Sequence, residues 1–190
     1  MNAKYKIMKK FILSALTLIA LSTTSMAQKS VMVGGAAMYP TRNIVENAVN
    51  SNDHTTLVAA VKAADLVSAL QGDGPFTVFA PTNAAFDLLP SGTVDNLLKP
   101  ENKSALQGVL TYHVVSGKWN AKELKKMIKD NGGKATITTL AGGKLYASLD
   151  EQGGVWIWDE NGGKAKVTIA DVQQKNGVIH VVDHVLLPKM

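Results

Sequence analysis

The chain has 190 residues, the length of one ordinary domain with a modest extension. It contains no cysteine, which excludes a disulfide framework, a thiolate zinc site, an iron–sulfur cluster, a cysteine nucleophile and a lipid-anchored cysteine. Apolar residues make up 46% and charged residues 18%, the composition of a core-forming chain and not of a disordered one.

Residues 1–27 read as an export signal. Lys4, Lys6, Lys9 and Lys10 form a basic start, Phe11 to Leu21 is a mostly apolar run, and Ser25-Met26-Ala27 supplies small residues before Gln28. The run is shorter than the ~20 residues a membrane-spanning helix needs, and no later stretch reaches that length. Cleavage after Ala27 is therefore expected, giving a soluble product in the periplasm or outside the cell. The signal holds four of the twenty Lys+Arg and none of the fifteen Asp+Glu, so residues 28–190 carry sixteen basic against fifteen acidic side chains, a formal +1. Such a chain lacks the broad positive field that nucleic acid requires.

Residues 28–42, with Gly34-Gly35 and Tyr39-Pro40 and no clear periodicity, read as an arm leading into one domain over 43–190. Met32 and Met38 in it read as apolar fillers. Helical spacing follows. Ile44, Ala48 and Val49 share a face over 43–50. Asp53 is the expected cap of a helix over 54–64, where Leu57, Val58, Val61 and Ala64 recur, and 66–70 adds a short turn. Gly72-Asp73-Gly74-Pro75 breaks the chain before the β-rich stretch Phe76 to Ala80. Pro81 ends it, Thr82 caps a turn over 83–89, and Pro90 stops that turn. Pro100 opens a helix through Gly108, followed by an apolar run over 109–115, and Asn120 with Glu123 opens a helix to Asp130.

Beyond residue 130 the pattern changes to strands over 135–140, 144–149, 155–158, 166–172 and 178–187. Gly-Gly and Asn-Gly pairs separate them, as hairpins require. With 76–80 and 109–115 this makes about seven strand candidates, the first two threaded among helices, hence an α+β domain. In the last candidate both alternating sets are mainly apolar, so it is expected to be central and covered on both faces.

Three segments carry a family resemblance. Gly-Pro-Phe-Thr-Val-Phe-Ala-Pro-Thr-Asn-Ala-Ala-Phe at 74–86 resembles the first signature block of fasciclin domains. Asn-Gly-Val-Ile-His-Val-Val-Asp-His-Val-Leu-Leu-Pro at 176–188 resembles the second, and Leu-Thr-Tyr-His-Val-Val at 110–115 is similar to the family's Tyr-His segment. The resemblance implies a fasciclin-type β-wedge or sandwich of about seven strands with a helical layer, in an exported or cell-surface adhesion module with no common catalytic site and no cofactor. In animal members the Tyr-His region has been linked to integrin contact, which makes Tyr112 and His113 candidate contact residues.

Enzyme-like patterns do not assemble. His180-x-x-x-His184 falls on a predicted strand, where four residues span about 13 Å, too far for two imidazoles on one ion without a bend. His180 and His113 read as hydrogen-bonded core histidines and His184 as an edge or surface residue. There is no Gly-x-Ser-x-Gly elbow and no phosphate-binding glycine loop, and Asp150-Glu151 and Asp159-Glu160 read as solvated turn residues.

Two surface candidates remain. Trp156 and Trp158 flank Ile157, so both indoles share one face. With Val155 and Ile157 inward, the rings are partly exposed and able to stack on sugar or anchor a protein. Lys122, Lys125, Lys126 and Lys129 form a helical stripe opposite Leu124 and Ile128, able to meet acidic polysaccharide or phosphate groups. The expected function is non-catalytic contact with a cell-surface, matrix or cell-wall protein or polysaccharide, by a monomer or weak homo-oligomer. The rivals are an extracytoplasmic hydrolase using His113 or His180, and a self-associating envelope protein.

Overall fold

The structure is a computed structural model that describes residues 30–189; the expected signal sequence lies outside the described residues. The described residues open with a hairpin where an arm was expected, β1 (Val31–Val33) and β2 (Ala36–Met38), turned by Gly34 and Gly35 with φ of 57° and 76°. A Cβ on Gly34 would collide with Ser51 Oγ and the Asp53 backbone nitrogen, so the tight seat admits only glycine. Alternation sends Val33 and Met38 into the core, each 1% exposed, and leaves Met32 at 60% exposure on the other face.

Helix α1 (Ile44–Ala48) starts at a capping box. Asn43 Oδ1 accepts from the Glu46 N–H at 2.9 Å, and Glu46 Oε2 accepts from the Asn43 N–H at 2.8 Å. Helix α2 (Thr55–Ala63) follows a 3₁₀ turn over 52–54, and its cap differs from expectation. Asp53 makes no capping bond. Asn83, 27 positions on, accepts from the Thr56 N–H at 3.0 Å and donates to the Asn52 carbonyl and Thr55 Oγ1. Helix α3 (Val67–Gln71) precedes β3 (Phe76–Pro81). Thr82 caps α4 (Asn83–Asp87) as its side chain implies, and α5 (Thr93–Leu97) follows. The apolar run 109–115 is split: α6 (Lys103–Tyr112) takes its beginning and β4 (Val114–Ser116) its end. The reason is spacing, since Leu106 and Leu110, one helical turn apart, both face the core. Asn120 and Glu123 close a second capping box on α7 (Ala121–Asp130).

The remaining strands are β5 (Lys134–Thr138), β6 (Lys144–Leu149), β7 (Val155–Trp158), β8 (Lys164–Gln174) and β9 (Gly177–Val182). The seven-stranded sheet runs β4-β3-β9-β8-β7-β6-β5, antiparallel except for the β3–β9 pair. Strand β8 joins two halves: Lys164 to Lys166 pair with β7, whereas Val167 to Gln174 pair with β9. Within the β9-paired part the register shifts twice, between Val167 and Ile169 and between Ile169 and Val172, and Asp171 takes a φ of 61°, so the long strand bends and the sheet becomes a wedge. Two cores result. One lies between helices α1, α2, α3 and α6 and strands β3 and β9; the other lies between α7 and the hairpins β5 to β7.

Strand β9 is buried along its whole length, as its doubly apolar pattern predicts, but it stops at Val182 and not at 187. Beyond it, side chains replace ladder partners. The Leu186 N–H donates to His113 Nε2 at 3.0 Å and the Leu187 N–H to Asp159 Oδ2 at 3.1 Å. Among the described residues no helix is long and apolar enough to cross a membrane.

Candidate functional site

Strands β5 to β8 form a sheet with one face against α7 and one face outward. Ala135, Ile137, Leu145, Ala147, Val155, Ile157 and Ala165 point inward onto Leu124 and Ile128, and all are buried. The alternate positions face out, and the antiparallel register sets them in two rows. Thr136, Tyr146, Trp158 and Lys164 stand side by side in one row; Lys134, Ser148, Trp156 and Lys166 form the next. Trp156 and Trp158 therefore lie on the outer face, half-buried, with the aliphatic pair inside.

The rings are held in place. Trp158 Nε1 donates to Ser148 Oγ at 2.9 Å and Trp156 Nε1 to Asp150 Oδ2 at 3.2 Å. Lys164 Nζ stands 5.1 Å from the centre of the Trp156 ring and 5.5 Å from that of Trp158. Lys166 is 5.6 Å from Trp156, and Lys134 is 4.3 Å from Tyr146. Lys166 also pairs with Asp150 at 3.3 Å. The Gly154 N–H first, then the Trp156 indole and Lys166, hold the Asp150 carboxyl below the usual carboxylate range. The result is a face of three aromatic rings interleaved with three ammonium groups, its indole N–H groups already satisfied. Such a surface offers flat apolar area for stacking and positive charge beside it. Tyr146, Lys134, Lys164 and Lys166 were not among the residues singled out from sequence. Each alternates with an apolar neighbour, but placing it beside a tryptophan requires the strand register.

The other sequence candidates are dispersed. On α7, Lys122, Lys126 and Lys129 are exposed and Lys125 is half-buried, and Lys126 pairs with Asp130. Because α7 covers the inner face of the β5–β8 sheet, this stripe points away from the tryptophans, and the two surfaces are separate.

Tyr112 and His113 correct the contact expectation: both are interior. Tyr112 is fully buried, donating to the Lys144 carbonyl at 2.7 Å and accepting from the Glu160 N–H at 3.2 Å, and burial pushes its pKa up to about 12. His113 takes the Leu186 N–H on Nε2, so its proton sits on Nδ1, donated to the Val109 carbonyl at 2.8 Å. Burial pushes its pKa down to about 4. The two side chains fasten α6 to the hairpins and to the C-terminal segment, with no polar atom left to offer a partner.

His180 and His184 fall in opposite environments. His180 is fully buried, stacked on Phe79 with ring centres 5.8 Å apart. It donates through Nε2 to the Trp119 carbonyl at 2.8 Å, and burial lowers its pKa. His184 is exposed and bonded to Asp183. Asp159 also departs from its reading as a solvated turn residue. It is buried, its Oδ1 accepting from the Asn161 and Gly163 N–H groups at 2.9 and 2.7 Å while Oδ2 holds Leu187.

Comparison with known proteins agrees with this architecture. The fasciclin domain model matches residues 52–188. The chain is 46% identical over 172 residues to protein sll1483 of a Synechocystis species, covering 90% of this chain and 88% of that protein. It is 34% identical over 146 residues to the immunogenic protein MPB70 of Mycobacterium bovis, covering 74% of this chain and 66% of that protein. Among solved structures, a FAS1 domain pair from the insect cell adhesion molecule fasciclin I superposes with a TM-score of 0.68 at 21% identity, over 77% of this chain and 51% of that one. The matched segment holds both signature blocks, which the fold sets side by side as the parallel strands β3 and β9. The chain belongs to the fasciclin domain family.

Proposed function

We propose that this chain is an exported, non-catalytic binding module of the adhesion type. Its contact surface is the Trp156–Trp158 face, and its partner is an anionic polysaccharide of a cell surface or matrix. The observation that carries the reading is the cross-strand register that interleaves Tyr146, Trp156 and Trp158 with Lys134, Lys164 and Lys166. Sugar rings present C–H faces that stack on indole, and uronate or sulfate groups pair with ammonium; a neutral glycan uses only half of this surface. The fold likeness to a cell adhesion molecule supports the adhesion class. The interior use of His113 and His180, each with both ring nitrogens bonded, supports a scaffold role for those residues over catalysis.

The test is retention of the purified protein on alginate and heparin columns against neutral glucan, in wild type and in W156A/W158A. Two stacking rings contributing on the order of 1 kcal/mol each predict binding about tenfold to thirtyfold weaker in the double variant. Charge reversal on the α7 stripe (K122E/K129E) leaves retention by the tryptophan face in place. Equal retention of wild type and W156A/W158A on every column rejects the assignment.

A further inference from the structure

Helix α7 divides sharply into two sides. Leu124 and Ile128, both fully buried, seat it on the inner face of the β5–β8 sheet. Lys122, Lys125, Lys126 and Lys129 follow one another at i, i+3, i+4 and i+7, so they share the opposite side within an arc of about 100°. The two acids of the helix cancel little of this charge. Glu123 turns back to accept the Asn120 N–H at 2.9 Å, and Asp130 pairs with Lys126. Among the described residues Lys122, Lys125 and Lys129 enter no ion pair.

Charge is unevenly divided over the molecule. Residues 118–166, which run from the start of α7 into β8, hold nine basic and six acidic side chains, a formal +3, whereas residues 30–117 hold four and seven, a formal −3. The basic half is a two-layer slab with lysines on both outer surfaces: the α7 stripe on one, and Lys134, Lys164 and Lys166 among the rings on the other. The two surfaces lie on the order of 20 Å apart, a helix and a sheet in thickness, and face opposite ways. One straight segment of a polymer therefore reaches only one of them. Helix α7 contains no aromatic residue. Its stripe offers point charges without stacking area, and what it fits is selected by charge density alone. An anionic polysaccharide carries such charge along its whole length, and the acidic helical half turns the slab toward it at long range.

We propose that the α7 stripe is a second contact surface for anionic polysaccharide, and that one copy of the chain, holding a segment on each side of the slab, cross-links the polymer. The inference rests on the assignment of the Trp156–Trp158 face to an anionic polysaccharide and adds bridging to it. The ammonium groups of α7 bind weakly by themselves. Once the tryptophan face is engaged, the second contact forms at the high effective concentration that the surrounding polymer supplies.

Light scattering of long-chain alginate titrated with the purified protein reads bridging, and retention on an alginate column reads binding. The wild type is expected to raise scattering several-fold near matched numbers of protein and polymer sites. Scattering falls again in protein excess, when every segment holds its own copy. K122E/K129E returns scattering to that of alginate alone. K62E/K99E makes the same change of net charge at exposed positions of the helical half and keeps the wild-type curve. Wild-type scattering by K122E/K129E overturns the proposal, because copies joined to each other would then present tryptophan faces only. A wild type retained on the column without raising scattering overturns it too, as does equal loss of scattering in K62E/K99E, which would assign the effect to net charge. Capture of phosphatidylglycerol vesicles through the stripe, with alginate left unlinked, gives the surface to lipid and overturns it as well. Failure of the underlying assignment shows separately, as equal retention of wild type and W156A/W158A.

Discussion

Asn176 donates through Nδ2 to the Leu70 carbonyl at 2.8 Å, a bond that spans 106 positions of sequence. The same amide donates to the Gly72 carbonyl at 2.7 Å, its Oδ1 accepts from the Ile44 N–H at 3.1 Å, and its backbone carbonyl accepts from the Phe76 N–H at 3.0 Å. One buried residue thus ties the start of α1 and the end of α3 through its side chain, and the first residue of β3 through its backbone carbonyl, to the turn before β9. Asn176→Ala strands two carbonyls and an amide away from water. At roughly 1 kcal/mol or more for each orphaned group, it is expected to cost about 3 kcal/mol in denaturant unfolding. Asn176→Asp keeps the acceptor for Ile44 and loses both donors, so it recovers only a fraction of the loss. A wild-type midpoint for Asn176→Ala would show that solvent replaces all three bonds.

The neighbouring glycine is needed for space and not for its φ. A Cβ on Gly177 would press into the Phe76 carbonyl and backbone nitrogen, because the parallel strands β3 and β9 begin with these two residues opposed. Gly162, in a hairpin turn with a φ of 87°, has open space around it. Gly162→Ala is expected to cost about 1–2 kcal/mol of backbone strain. Gly177→Ala is expected to cost more than that, since it must push the central strands β3 and β9 away from each other. Equal losses in the two variants would disprove the steric reading.

The buried histidines set the acid limit of the fold. In the unfolded chain each titrates near 6.5; in the folded chain burial lowers His54, His113 and His180, His113 to about 4. Above the unfolded value both states bind no proton at these sites and stability is flat. As pH falls below 6.5 the unfolded state takes up protons that the folded state refuses, so stability drops until the folded pKa is reached. His113 alone accounts for roughly 3 kcal/mol between pH 6.5 and 4, and the other two act in the same direction. Urea midpoints at pH 8, 7, 6 and 5 are expected to be level for the first pair and to fall thereafter. Most of that window lies above the ordinary range of carboxylates, which isolates the histidine contribution. A midpoint unchanged from pH 7 to 5 would contradict it.

What could be read from sequence was local. Strands 144–149 and 155–158 stand as predicted because alternation and Gly-Gly turns act between near neighbours, and the capping box expected at Asn120 and Glu123 depends on residues three apart. The direction of Trp156 and Trp158 follows from the same alternation once Val155 and Ile157 are placed inside. What escaped was decided by distant partners. Asn83 replaces Asp53 as the cap of α2, His113 and Asp159 hold the C-terminal segment where a strand was expected, and Lys164 meets the tryptophans only through the β7–β8 register. Tyr112 shows the same limit in burial, since a residue similar to a family contact position becomes interior once β6 and the β7–β8 turn close over it.

The N-terminal hairpin tests that limit directly, because its two methionines look alike in sequence and sit in opposite environments. Met38 fills the core beside α1, whereas Met32 faces solvent. The hairpin is further bound by a reciprocal pair, the Tyr39 N–H to Asn47 Oδ1 at 2.9 Å and Asn47 Nδ2 back to the Tyr39 carbonyl at 2.8 Å. Residues 31–39 therefore belong to the folded unit although they precede the segment matched to the family. Truncating a buried methionine removes its transfer free energy and enlarges a void, so Met38→Ala is expected to lower stability by about 2–5 kcal/mol. Met32→Ala is expected to change it by less than about 0.5 kcal/mol. If the segment were a detachable arm the two variants would unfold at the same denaturant concentration. Their separation in one urea titration measures how firmly the hairpin belongs to the core.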